Sequence, residues 1–367
     1  MAASHSASPS APASAAASAS AVKPTKHRAK KTRAPPPPPP AGMAAEGAAA
    51  GTLGGRAAVD PRRERVQCQR LVSAVCATFA SVRAEPDYAA RLAQIKTHFY
   101  DRAFDRIFLD PALVPVYAAS YSPARALGYR DLLLDSPVLR VIVAAGGRVC
   151  ALGAGSGGEV MAFAGALTTL REDAAVAAVT ATAEAVSPAS PAPSIPATPI
   201  DLVLQDFGPY QSAVALMQAA LPSQFGLTPT ALQVQFIQSD LVADPLPLGP
   251  AAGTDPATPP CRLLITAFVL NELLALQKAH FHRVVRHVLT QLPADAHWLV
   301  VDAASSFSDV AIAGRAYRVH HLLDHIPQLD CVEARDSHWY RFPKGLQSPD
   351  PLQNMRYWMR LYRRKAA

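Results

Sequence analysis

Acidic side chains are missing from the first 45 residues, which carry six Lys or Arg and no Asp or Glu. The net charge of +7 therefore belongs largely to an N-terminal appendage and not to the folded body. Residues 2–42 also lack Leu, Ile, Phe and Trp. No window of about eighteen uninterrupted apolar residues occurs anywhere, so no transmembrane helix is expected. C-x-x-C pairs are absent too. The cysteines, Cys68, Cys76, Cys150, Cys261 and Cys331, are odd in number and scattered. That pattern argues against a disulfide framework or a zinc site and suits a reducing compartment. The histidines show no ligand spacing. His280 with His282, and His320 with His321 and His325, fall in helical segments as surface or partner-facing residues, and no metal is expected.

What is present sorts into three parts. Residues 1–58 are Ala/Ser-rich, then basic, then polyproline (Pro35 to Pro40), then Gly/Ala-rich. So few large apolar groups cannot offset the entropy of ordering, and the segment reads as a disordered tail. Within it, KPTKHRAKKTR (Lys23 to Arg33) reads as a nuclear address or a nucleic-acid patch. A mitochondrial transit peptide is also Ser-rich and acid-poor, but it needs an apolar face that residues 2–42 do not supply. A solubilising tail is the bland alternative, with a cytoplasmic address.

Residues 59–140 read as a helical cap. Val66, Leu71, Val75 and Phe79, and then Tyr88, Leu92, Ile95 and Phe99, fall near helical spacing. Pro111, Pro115 and Pro123 are expected to punctuate further short helices. From 141 to 367 apolar strands alternate with helices, the mark of a doubly wound α/β sheet, mostly parallel. The strands are VCAL (149–152), PIDLVLQD (199–206), LQVQFIQSD (232–240), RLLITAFV (262–269) and HWLVVDA (297–303). Pro/Ala-rich stretches near 184–199 and 244–260 read as surface insertions. MRYWMRLYRR (355–364) alternates as a half-buried strand with a polar face. It follows WYRF (339–342) without a long helix between, so an antiparallel C-terminal strand should close the sheet. That ending is unusual for a dehydrogenase and expected of a class I methyltransferase.

RVCALGAGSGGEV (148–160) runs from a strand into a glycine loop and a helix. Gly153, Gly155 and Gly158 satisfy the G-x-G-x-x-G of a dinucleotide site. Gly153, Gly155 and Gly157, with Ser156 and Glu159, satisfy the G-x-G-x-G of an S-adenosylmethionine site. A dinucleotide site offers the helix N-terminus to a pyrophosphate, which Glu159 would repel. The same carboxylate could accept from the ammonium of S-adenosylmethionine. Asp206 ends the second strand, where a carboxylate can accept both ribose hydroxyls. Asp240 ends the third, where it could read the adenine, with Leu241 beside it and Phe268 at the end of the fourth. Each strand-end acid taken alone is as well explained by a turn or an N-cap.

Five segments carry a resemblance: FYDRAF (99–104), YSPARALGYRDLL (121–133), ALGAGSGGE (151–159), FVLNELL (268–274) and DSHWYRFP through LQNMRYWMRLYRR (336–364). Together they resemble the fungal family of S-adenosylmethionine-dependent methyltransferases that includes the 25S ribosomal RNA uridine-N3 enzymes. The glycine loop is generic; FVLNELL and the NMRY ending are more specific. QDFGPY after the second strand departs from the family pattern beyond Asp206. The resemblance implies S-adenosylmethionine as cofactor, ribosomal RNA or a pre-ribosomal particle as partner, and a nuclear, nucleolar location. It makes Glu272 the candidate base for the N3 proton, with Asn271 holding a base edge or the cofactor. A helix N-terminus explains both equally well. Asp302 is a secondary candidate. RNA contacts are expected from Arg102, Arg125, Arg341, Arg356, Arg360, Arg363 and Arg364, with Trp339 available to stack a base. The loop of exocyclic-amine enzymes (Asn/Asp-Pro-Pro-aromatic) is absent, and Cys261 opens its strand at the wrong end for a cytosine-C5 nucleophile. A protein or small-molecule methyltransferase, and a ribosome-assembly factor that kept the fold without the chemistry, are the rival readings.

Overall fold

A computed structural model of the chain describes residues 60–184, 198–249, 259–304, 310–312 and 315–366. The expected N-terminal tail with its basic stretch, and most of both expected insertions, lie outside the described residues.

Six helices precede the sheet: α1 (Pro61–Thr78), α2 (Ala80–Arg83), α3 (Tyr88–Tyr100), α4 (Asp105–Phe108), α5 (Val114–Asp135) and α6 (Pro137–Ala145). The Asp60 carboxylate accepts from the Arg62 N–H at 2.9 Å and Pro61 occupies the first turn, which gives α1 a defined start. Leu71 and Val75 face the core as expected, whereas Val66 is 56% exposed. The prolines do not break the next segment. Pro115 sits in the first turn of α5, where no N–H is needed, and Pro123 is carried inside that 22-residue helix. Arg130 fastens the layer. It is 1% exposed and donates to Glu64 (2.6 Å), Gln67 (2.8 Å) and Thr169 (2.9 Å), tying α1 and α5 to the first helix after the glycine loop.

The rest alternates: β1 (Gly147–Leu152), α7 (Gly158–Glu184), β2 (Ile200–Asp206), α8 (Gln211–Phe225), β3 (Leu232–Gln238), β4 (Cys261–Ala267), α9 (Leu270–Leu276), α10 (Lys278–Gln291), β5 (His297–Ala303), β6 (Val310–Ile312), β7 (Arg315–Tyr317), α11 (Val319–Leu323), β8 (Leu329–Tyr340) and β9 (Met355–Arg364). The main sheet has seven strands in the order β3-β2-β1-β4-β5-β9-β8. β1 to β5 are parallel; β9 runs antiparallel between β5 and β8. One apolar layer joins α1, α5, α7 and α8 to one face. A second joins α9, α10 and α11 to the other. The small β6–β7 pair stands apart. The loop between β8 and β9 is fastened to the N-terminal helices. Asp350 takes hydrogen bonds from Tyr88 (2.6 Å) and Arg83 (3.3 Å), and the Gln347 N–H donates to Gln69 (2.7 Å).

β9 corrects the expectation of a polar strand face. Tyr357 to Tyr362 are all buried. Trp358 and Tyr362 pack into the layer of α10 and α11, and the Tyr362 hydroxyl donates to Asp324 at 2.7 Å. His320, expected at the surface, is 2% exposed against Trp358, and burial lowers its pKa to about 4.

Candidate active site

Parallel strands carry their ligands beyond their carboxyl ends, at the point where the strand order reverses. Here that point lies between β1 and β4. The loop after β1 holds Gly153, Gly155 and Gly157 at φ +63°, +50° and +70°. Side chains rarely adopt such angles. Gly158 is not among them, so the glycine spacing that the backbone demands is G-x-G-x-G. A Cβ at Gly153 would lie 2.4 Å from Val269 Cγ2, in the loop after β4. The two loops therefore close on one another only because that position is glycine.

Asp206 organises the turn from β2. One carboxylate oxygen accepts from the Gly155 N–H at 2.7 Å and the other from the Gly208 N–H at 2.8 Å. Burial raises its pKa, and the N–H groups of Gly208, Gly155 and Phe207 oppose that rise. Glu159, in the first turn of α7, is 4% exposed and Oε2 has no hydrogen-bond partner among the described residues. Burial pushes its carboxyl up to about 7. It borders a narrow apolar crevice together with Tyr129 and Phe163. Ser156 Oγ is likewise buried without a partner.

A cleft of about 490 Å³ opens above this loop. Gly153, Gly155, Asp206, Asp240, Leu241, Phe268 and Glu272 line it. Asp240 is exposed, and Oδ1 accepts from the Val242 N–H at 2.8 Å, a local turn that presents Leu241 and Val242 to the cleft. Phe268 has φ +62° and donates its N–H to the Val301 carbonyl at 2.8 Å. The bend it makes turns the chain into α9 and brings Glu272 to the cleft. Burial, then the nearby Asp302 charge, raises the Glu272 carboxyl to about 7, while Arg125 pulls it down. Asn271 faces the other way. Its backbone N–H donates to Asp302 at 2.9 Å, and its side chain reaches the Ala303 carbonyl at 3.5 Å. Asp302 is thus a buried brace between β5 and α9, with its carboxyl pushed up to about 7 by burial.

The opposite wall was not expected from the sequence. Phe99, Phe104, Phe108 and Tyr117 come from α3, α4 and α5 and their junctions, and Tyr210 from the residue before α8. They form a ring cluster, with Phe108–Tyr117 at 5.2 Å and Tyr117–Tyr210 at 6.3 Å between centroids. Arg125 belongs to this wall. Its Cζ lies 5.2 Å from the Tyr117 ring centre and 6.0 Å from that of Phe268. It is half-buried and turned into the cleft, not toward the outer surface expected of a phosphate contact. FYDRAF and the α5 segment bear these residues, yet no spacing rule reveals rings that converge from separate helices.

The other arginines divide. Arg102 and Arg341 are exposed. Arg356 stacks at 5.7 Å over Trp339, which is 51% exposed, at the sheet end where the cleft lies. Arg360 is not available to RNA. It is 6% exposed and held by Asp336 (2.6 Å) and Asp324 (3.2 Å). Arg363 and Arg364 lie seven and eight residues beyond Arg356 along β9, roughly 23–26 Å away, at the opposite end of the sheet.

Parallel strands in the order 3-2-1-4-5 followed by the antiparallel β9 and then β8, with glycine loop and acids at the carboxyl ends of the parallel strands, define a class I S-adenosylmethionine-dependent methyltransferase fold. Residues 75–363 match the family model described as "Putative SAM-dependent methyltransferase", and the chain belongs to that family. It is similar to the 25S rRNA (uridine(2843)-N(3))-methyltransferase of Saccharomyces cerevisiae, at 22% identity over 74% of this chain and 77% of that protein. Among solved structures it resembles the mitomycin 7-O-methyltransferase MmcR, with 14% identity, TM-score 0.41 and coverage of 80% of this chain and 73% of that one. It also resembles the N-methyltransferase NodS of Bradyrhizobium japonicum in complex with S-adenosyl-L-homocysteine, with 12% identity, TM-score 0.31 and coverage of 64% and 91%. The protein is an S-adenosylmethionine-dependent methyltransferase. The donor set fits that cofactor. There is an unpartnered buried carboxylate oxygen on Glu159, a second carboxylate at Asp206, and a loop whose glycines leave no Cβ in the way.

Proposed function

We propose that this enzyme methylates large-subunit ribosomal RNA at N3 of a uridine, with Glu272 accepting the N3 proton. The observation that carries the reading is the position of Glu272. A carboxyl raised to about 7 faces a cleft walled by aromatic rings, so near neutral pH it is partly ionised and able to take a proton. Planar bases taken out of a stack are held by such rings. The named activity of the yeast relative supports the same acceptor atom.

S-adenosylmethionine supplies an electrophilic methyl group on a sulfonium. Glu159 and Asp206 hold its ammonium and ribose in this reading, and Leu241 and Phe268 flank its adenine. The protein's main contribution is alignment, since transfer is in-line and needs N3 about 3–3.5 Å from the methyl carbon. Arg102, Arg341 and Arg356, with Trp339, are the RNA contacts on the cleft side. A nucleolar location follows from that substrate and from Lys23 to Arg33.

The test uses the full chain, methyl-tritiated S-adenosylmethionine and large-subunit RNA from cells that lack the enzyme. Label recovered as 3-methyluridine, lost in Glu272→Gln with cofactor affinity retained, is the expected result. Label in protein, or in another nucleoside, refutes the assignment.

A further inference from the structure

Two arginines among the described residues are buried, and both are spent on structure. Arg130 and Arg360 are each tied to a carboxylate at 2.6 Å. Arg125 instead leans on the Tyr117 and Phe268 rings. Titratable groups from several elements surround it, with Asp105 on α4, Asp240 after β3 and His280 on α10 also lining the cleft. Tyr117, Tyr121 and Tyr129 are on α5 itself. Glu159 lies on α7, Asp206 at the end of β2 and Glu272 on α9. A planar cation is thus held at the cleft face while the carboxylate that would take the substrate proton stands within its field.

We propose that Arg125 donates to one carbonyl oxygen of the acceptor uracil, beside N3, and stabilises the imide anion that forms when N3 gives its proton to Glu272. The inference rests on the function proposed above. The N3–H bond breaks, its proton goes to a Glu272 oxygen, and the freed pair spreads over N3, O2 and O4. That pair then forms the N3–methyl bond as the sulfur–methyl bond breaks and its electrons return to sulfur. The negative ring and the positive sulfonium are neutralised together, and Glu272 later releases its proton to water. A donor beside a proton acceptor matches the edge of uracil, a carbonyl next to an N–H. Cytosine presents an amino group and no N3 proton, and at that amino group Arg125 would meet a donor. Electrostatic contacts made to charge that develops only in the transition state act on the chemical step rather than on binding.

The experiment compares the full-length enzyme with Arg125→Gln and Arg125→Lys on two RNAs. One contains uridine and the other 5-fluorouridine, whose N3 proton is more acidic. Rates of 3-methylation are followed from pH 6 to 9, and cofactor affinity is measured by calorimetry. On uridine, R125Q should be slower by about 10²–10³-fold, the cost of removing one such donor. Cofactor affinity should stay within about threefold, since the contact is made to the acceptor. The fluorinated RNA should restore at least tenfold of the loss, and the acid limb of the rate should move to higher pH once the cation beside Glu272 is gone. R125K, which keeps charge but not the guanidinium, should fall between and show the same rescue. Should R125Q fail to fold, R125K carries the comparison. An equal deficit on both RNAs overturns the proposal, and so does loss of cofactor affinity, which would assign Arg125 to the cofactor. A wild-type enzyme that binds cofactor yet forms no 3-methyluridine on either RNA refutes the substrate reading itself, and this inference with it.

Discussion

Replacing Glu159 by glutamine should stabilise the cofactor-free protein at alkaline pH and do nothing for it in acid. Glu159 is 4% exposed, and burial raises its carboxyl from 4.5 to about 7. A raised carboxyl binds its proton more tightly when folded than when unfolded. The wild-type protein therefore loses stability as the pH rises from about 4.5 to about 7, and no more beyond. One pK unit is worth about 1.4 kcal/mol, which puts the ceiling for this group near 3 kcal/mol. Glutamine removes the charge but brings an amide whose NH₂ must be satisfied, which returns about 1 kcal/mol. The net gain above pH 7 is then about 1–2 kcal/mol, or about 2–6 °C in Tm for a body of this size. Melting curves at pH 5 and pH 8.5 without cofactor check this. The difference between variant and wild type should open with pH. On the proposed role of Glu159 in holding the cofactor's ammonium, added S-adenosylmethionine should reverse it by giving the unpartnered Oε2 a partner. A variant less stable than wild type at pH 8.5, or a pH-independent difference, refutes the account of Glu159 as an acid held ready at a stability cost.

Asp206→Ala removes the acceptor for both the Gly155 and Gly208 N–H groups, and cofactor binding should weaken by about 2–3 kcal/mol, some 30- to 150-fold. An unchanged Kd by calorimetry would put the cofactor elsewhere. Gly157→Ala meets both a φ of +70° and Val214 Cγ2 at 3.2 Å from the new Cβ, so Tm should fall by an amount equivalent to about 1–3 kcal/mol. A denaturation midpoint equal to wild type would refute the strain. Arg130→Met should cost about 3 kcal/mol in urea unfolding, because Glu64, Gln67 and Thr169 each lose a buried donor, and a loss under 1 kcal/mol would contradict that role.

Apolar continuity made the parallel strands readable. β1, β2, β4 and β5 are buried on both faces, and their sequences are runs of Val, Ile, Leu and Ala. β8 was largely hidden for the opposite reason. LDCVEARDSHWY is an edge strand whose buried residues are its two ends, so neither a run nor an alternation exists to be seen. β9 reads as alternating because arginines and aromatics share a face. The aspartate that neutralises Arg360 and caps α11 is distant in sequence, so the face looked solvated. At the site, strand-end acids and the glycine triad were legible because a loop fixes their spacing. Tyr117, Phe108 and Tyr210 were not, since the cleft wall is assembled by helix packing. The place of Arg125 in the cleft wall was hidden on the same account: an arginine in a helical segment carries no mark of the side it faces.

The strand order has a consequence for how the chain is made. β9 is synthesised after every other strand of the sheet, yet it lies between β5 and β8. Until it emerges, β5 presents an open edge and β8 has no place to pair. The first helices wait as well, since Arg83 and Tyr88 find their carboxylate only at Asp350. Contacts that join residues more than 260 positions apart form late, because loop closure must precede them. From the completion of β5 at Ala303 until β9 follows from Met355, the nascent chain thus carries an unpaired hydrophobic strand edge, the state in which strand-to-strand aggregation begins. Loss of the final strand would leave that edge permanently exposed, and truncation at the C-terminus should be read out first as insolubility and only then as lost methyl transfer.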